Sequence, residues 1–163
     1  MTIIARKDGE KFENIEKTDF KLEKKLQKLI LDDQIMKKIK LGFEEDTTLV
    51  TLSRELESGS GPIDVLAIDE DGGIYIIETK LHDNHDRRKI LAQIMDYAGA
   101  MWNRFRDFKK FEEELERWNL RSKDNEILSG KSLSQIISNS TLGFTDKEDT
   151  DDIIRNMKEN FFS

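Results

Sequence analysis

Two apolar runs separated by a polar turn dominate the middle of the chain. Pro62-Ile63-Asp64-Val65-Leu66-Ala67-Ile68 and Ile74-Tyr75-Ile76-Ile77-Glu78-Thr79-Lys80 flank Asp69-Glu70-Asp71-Gly72-Gly73. Short aliphatic runs bounded by Asp and Gly predict two strands of an antiparallel hairpin. The apolar residues set a register with Ile68 opposite Ile74, Leu66 opposite Ile76 and Val65 opposite Ile77. One pair further, Asp64 falls opposite Glu78, and like charges directly opposite destabilise a sheet. Lys80 lies on the same face as Glu78, because side chains along a strand repeat every second residue. Two acids and an amine thus converge at the open end of an apolar hairpin, a pattern suited to a divalent cation.

The remaining elements follow from the same patterning. Residues 1–16 alternate weakly around Asp8-Gly9 and predict a small β-ribbon. Leu22, Leu26, Leu29, Ile30, Ile35, Met36 and Ile39 recur at helical spacing, so a helix is expected over 19–40, capped by Asp19 and stopped by Gly42. The β-branched stretch 46–55 reads as a strand, and 57–61 as a Gly/Ser connector. Ile90, Ile94, Tyr97, Ala98 and Met101 give the buried face of a helix over about 86–102. Beyond it come a charged helix over 105–118, a loop over 119–130 and a short helix near 133–137. A last helix follows Thr150 or Asp151, with Ile153, Ile154, Met157 and Phe161 on one face.

Composition narrows the class. The chain has 163 residues, 36% hydrophobic and 37% charged, enough for one domain with a core and a heavily charged surface. It has no cysteine, which excludes disulfides, zinc thiolates and thiol nucleophiles. No apolar run spans a bilayer and residues 1–7 lack a signal-peptide core, so no membrane and a cytoplasmic location are expected. The net charge of −7 argues against bulk electrostatic binding of nucleic acid. Clustered carboxylates that hold a cation account for part of that charge, and phosphate contacts then fall to local basic residues: Arg87, Arg88 and Lys89. Arg87 and Arg88 lie in the first turn of their helix, where positive charge opposes the dipole. An anionic partner there and a solvated charge run are both consistent with that placement. His82-Asp83-Asn84-His85-Asp86 reads as a solvated loop whose Asn84 or Asp86 caps the next helix.

Pro62-Ile63-Asp64 followed by Glu78-Thr79-Lys80 resembles the PD-(D/E)XK nuclease motif, and Gln93-Ile94-Met95-Asp96-Tyr97 is similar to the QxxxY element of RecB-like and NucS-like members. The resemblance covers roughly 20–102. It implies an α/β fold, a restriction-endonuclease-like core with a central mixed β-sheet flanked by helices. On this basis 1–18 is a ribbon, 19–102 the core and 103–163 a helical extension or lid. The implied activity is Mg²⁺- or Mn²⁺-dependent hydrolysis of phosphodiester bonds, in DNA by family. Asp64, Glu78 and the Thr79 carbonyl would hold the metal, Lys80 would assist the attacking water, and Glu23 and Gln93 would complete the catalytic set. Tyr97 would contact nucleic acid. Each residue also has a plainer reading: Glu23 as a solvated lysine partner, Tyr97 as core, Gln93 as a satisfied polar contact, and the central trio as a surface ion cluster. A nuclease-like module that binds nucleic acid or protein without cutting is the alternative function.

The superfamily core has a fourth strand, and none is evident after Trp102. The chain ends on Phe161-Phe162-Ser163. Together these predict a truncated chain with an exposed sheet edge, and edges of that kind pair with other chains, here as a homodimer.

Overall fold

The computed structural model describes residues 3–7, 11–15, 27, 49–80, 87–140 and 147–161. Two strands, β1 (Ile3–Lys7) and β2 (Lys11–Ile15), pair antiparallel as an N-terminal ribbon. The central sheet has the order β3-β4-β5, with β3 at Val50–Glu57, β4 at Pro62–Ile68 and β5 at Ile74–Ile77. Among the described residues four helices follow: α1 (Arg87–Arg104), α2 (Phe108–Arg121), α3 (Leu133–Ser138) and α4 (Lys147–Phe161). A 3₁₀ segment, Lys123–Leu128, joins α2 to α3 where a loop was expected. None of these helices is long and apolar enough to cross a membrane.

The fold is α/β, and the hairpin register is the expected one: Ile68↔Ile74, Leu66↔Ile76 and Val65↔Ile77. The expectation of a mixed sheet is corrected. Both ladders among the described strands are antiparallel, and no fourth strand joins them there. The first strand of this sheet ends at Glu57, two residues later than its β-branched run suggested.

Alternation along β4 separates two faces. Leu66 and Ile68 face the helices and join Leu52, Ile63, Met101, Phe105, Phe111, Leu115, Ile137 and Met157 in one core. Val65 and Ala67 face the other side with Leu49, Tyr75 and Ile77. Full burial of one such aliphatic side chain stabilises by roughly 1.5–3 kcal/mol. The helices of 103–163 therefore share the core of the sheet. Phe161, at the end of α4, is covered by Phe108 and Phe111, its ring centroid 5.1 Å from that of Phe111.

The outer edge of β3 is capped by side chains along its middle. A bulge at Leu52 shifts the register between Thr51 and Ser53. Asn119 of α2 then donates to the Leu52 carbonyl at 2.9 Å and accepts from Ser53 Oγ at 2.7 Å. Asn125 accepts from the Arg54 amide at 2.8 Å and donates to its carbonyl at 3.0 Å, a carbonyl that Trp118 Nε1 also reaches. Side chains thus occupy the Leu52 carbonyl and the Arg54 amide and carbonyl, backbone groups that a further strand would use.

Candidate functional site

The ladder between β4 and β5 ends at Val65↔Ile77, and Glu78-Thr79-Lys80 runs on beyond it. The next bond is made by a side chain. Asp64 Oδ2 accepts from both the backbone N–H and the hydroxyl of Thr79, each at 2.7 Å. That double contact fixes the carboxylate and leaves Oδ1 without a hydrogen bond among the described residues. Lys80 Nζ lies 2.6 Å from Glu78 Oε1, as expected for residues two apart on one face. The Glu78 side chain is only 1% exposed and that of Lys80 23%.

Helix α1 lays its buried face over this end of the hairpin. Tyr97 is 4% exposed and packs in the core, so its ring is structural. Its hydroxyl is polar business of another kind. Gln93, one turn earlier, donates Nε2–H to Tyr97 Oη. Burial pushes the phenol above its ordinary pKa; the Gln93 hydrogen bond opposes that rise, Glu78 and Asp64 add to it, and Lys80 opposes it. One phenol thus feels both carboxylates and the amine, which brings Asp64, Glu78, Lys80, Gln93 and Tyr97 into a single neighbourhood.

The connector between β3 and β4 forms the wall of the site. Ser58 Oγ and N–H both bond to the Gly61 carbonyl, at 2.8 and 3.0 Å. Gly61 has φ +138, and a Cβ there would lie 3.4 Å from Tyr97 Cε1, so glycine lets the loop rest on the ring. Arg104 Nη1 donates to the Glu57 carbonyl at 3.1 Å and ties the end of α1 to this loop.

The other expected residues fall differently. Glu23 lies outside the described residues. Gln27, one turn further along the sequence, is described: it is helical, buried, and accepts from Arg54 Nη2 at 3.1 Å. Arg88 and Lys89 are exposed on the first turn of α1, and Arg87 begins the helix. Neither Arg88 nor Lys89 is among the charges acting on the Tyr97 phenol. Thr79, expected to offer a carbonyl, is seen to hold Asp64 through its amide and hydroxyl. Among the described residues no group of three or more His, Cys, Asp or Glu side chains gathers as a metal site.

Sequence reading missed Glu55. It has φ +53, a left-handed conformation unusual for this residue type. The pairs Arg54↔Val65 and Leu56↔Ile63 place it directly across from Asp64. A glutamate carries no signature for that conformation, and only the backbone reveals it. Such strain costs on the order of 1–3 kcal/mol and persists where the surroundings enforce it.

Comparison with protein-family models, with curated proteins and with solved structures finds no match.

Proposed function

We propose that this chain is a metal-dependent phosphodiesterase of the nuclease type, acting on DNA, with Asp64, Glu78 and Lys80 at its centre. The observation that carries this reading is an acid–amine pair, a buried Glu78 carboxylate with a half-buried Lys80 at 2.6 Å, beside a second carboxylate whose orientation Thr79 fixes. An exposed ion pair contributes about 0–1 kcal/mol, and burying one costs desolvation that attraction only partly repays. Stability alone gives little reason to place these groups there.

The donors fit a hard cation. Mg²⁺ commonly takes one or two carboxylates and keeps several waters, and oxygen is the ligand Mg²⁺ and Mn²⁺ prefer. Asp64 Oδ1 and the Glu78 carboxylate would hold it, with the Thr79 carbonyl and Glu23 as further candidates. When bound, the cation supplies Lewis-acid polarisation of a phosphate oxygen and a more acidic water. Lys80 sets a positive charge where negative charge develops on the phosphate. Tyr97 stays a neutral phenol at physiological pH. Its oxygen accepts from Gln93, so its own O–H is left to donate to a carboxylate or phosphate oxygen.

One observation favours the alternative of a binding module that does not cut: Lys80 already neutralises Glu78. Calorimetry with Mn²⁺ and a cleavage assay on single-stranded, branched and mismatched DNA separate the two. The enzyme reading expects metal-dependent cleavage that falls by about 10²-fold or more in Lys80→Ala. Mn²⁺ binding without cleavage of any substrate supports the module, and no Mn²⁺ binding sinks the metal site.

A further inference from the structure

Helix α1 buries one face and leaves a second apolar face in solvent. Leu91, Met95 and Trp102 are 63, 65 and 52% exposed, and Ala92, Ala98 and Gly99 on the same side are exposed too. Ala98 was expected in the core; it belongs to this stripe. Gly99 is the informative member. Its φ is not left-handed, and a Cβ there would meet no atom within 4 Å. Glycine inside a helix costs about 1 kcal/mol relative to alanine, and nothing in this chain's own backbone or packing asks for it. Small residues between bulky ones allow another helix to approach closely.

We propose that this face docks on the same face of a second copy, with the two α1 helices antiparallel about a two-fold axis. The spacing supports self-pairing. Positions 91, 95, 98 and 102 are separated by four, three and four residues, the rhythm of a helix–helix seam, and it reads the same from either end. Antiparallel pairing therefore sets Leu91 against Trp102 of the second copy and Met95 against its Ala98, large against small at the centre. Charge supports the same direction. Arg88 and Lys89 are exposed in the first turn, which has no acidic residue and where they oppose their own helix dipole. Antiparallel pairing brings them to the negative end of the other helix, where Arg104 is already engaged by Glu114 and the Glu57 carbonyl. The contact is isologous, as closed dimers require. It is also short, the stripe running roughly 17 Å, so its area falls below the ~800 Å² per partner of a standard stable interface. The dimer is accordingly concentration-dependent.

Sedimentation of the full chain over a range of concentrations tests this. A mass rising from one chain toward two is expected, with Met95→Lys and Leu91→Lys each raising the dissociation constant at least tenfold. Leu120→Lys, on an exposed apolar residue of α2, should leave it unchanged. Because the chain has no cysteine, Asn103→Cys takes a single spin label. Antiparallel helices separate the two labels by about 20 Å along the axis, whereas parallel ones hold them about 10 Å apart. A single-chain mass at every concentration, a dimer indifferent to Met95→Lys, or labels at the shorter separation would each overturn the proposal.

Discussion

The two ends of the β4–β5 hairpin each bury an aspartate to the same degree, Asp64 at 8% and Asp69 at 9% exposure, yet use it differently. At the turn, Asp69 is consumed by the chain's own donors. Oδ1 accepts from the Asp71 and Gly73 amides at 3.0 and 2.7 Å, and Oδ2 from the Tyr75 hydroxyl at 2.7 Å. The turn then docks on α4, where Asn160 donates to the Asp71 carbonyl. At the open end, Asp64 spends one oxygen on Thr79 and keeps the other. A carboxylate with both oxygens engaged by the chain's own donors is a structural joint. One held firmly and only half used, next to a buried carboxylate paired with an amine, is equipped to receive something.

Substitutions at the turn should break the fold and leave the open end's chemistry alone. Gly72 has φ +76, and a Cβ there would lie 2.5 Å from the Met157 backbone nitrogen. Gly72→Ala combines left-handed strain with a backbone collision and should cost about 2–5 kcal/mol in urea unfolding. A loss under 1 kcal/mol would mean that the turn is not seated on α4 in this way.

The aspartates themselves give the sharpest contrast. Asp69→Ala strips two amides and a phenol of their acceptor and should cost roughly 2–4 kcal/mol, with Mn²⁺ affinity of the folded protein unchanged. Asp64→Asn keeps an acceptor for Thr79, so its stability should shift by only about 1 kcal/mol, while the heat of Mn²⁺ binding disappears. Equal stability losses with metal binding intact in both would erase the distinction.

The smallest effect concerns Tyr97. Its pKa is raised, chiefly by burial, so the unfolded chain releases this proton first as pH climbs. The contribution is complete below the unfolded value of about 10 and is lost as pH rises from there through the folded value. Tyr97→Phe should flatten that part of the stability–pH curve, and absorbance titration of the wild type should show one tyrosine ionising late. A phenol that titrates normally would detach Tyr97 from the acids beside it.

The hairpin was legible in the sequence because apolar alternation and an Asp–Gly turn admit one register. The period of two put Lys80 beside Glu78, but the ladder stops at Val65↔Ile77 and Asp64 bonds Thr79 there instead of pairing with Glu78. Gln93 and Tyr97 followed from helical spacing. What stayed hidden lacks periodicity. Asn119 and Asn125 look like loop residues, since a polar side chain near a helix end gives no sign that it will be buried against a strand edge. Asn119 in fact lies within α2, which runs from Phe108 to Arg121. Ala98 fits either face of α1 by size. Glu55 takes a conformation its side chain does not favour, and no pattern announces that.

Sealing a strand with side chains has a chemical price of its own. Asn119 and Asn125 serve β3 through donor and acceptor at once, and asparagine is among the thermolabile residues. Hydrolysis of either amide would swap an N–H for a second carboxylate oxygen facing a carbonyl, reversing attraction into repulsion. Were either amide hydrolysed, the sheet would open first at that border, baring a ribbon able to stick to its neighbours.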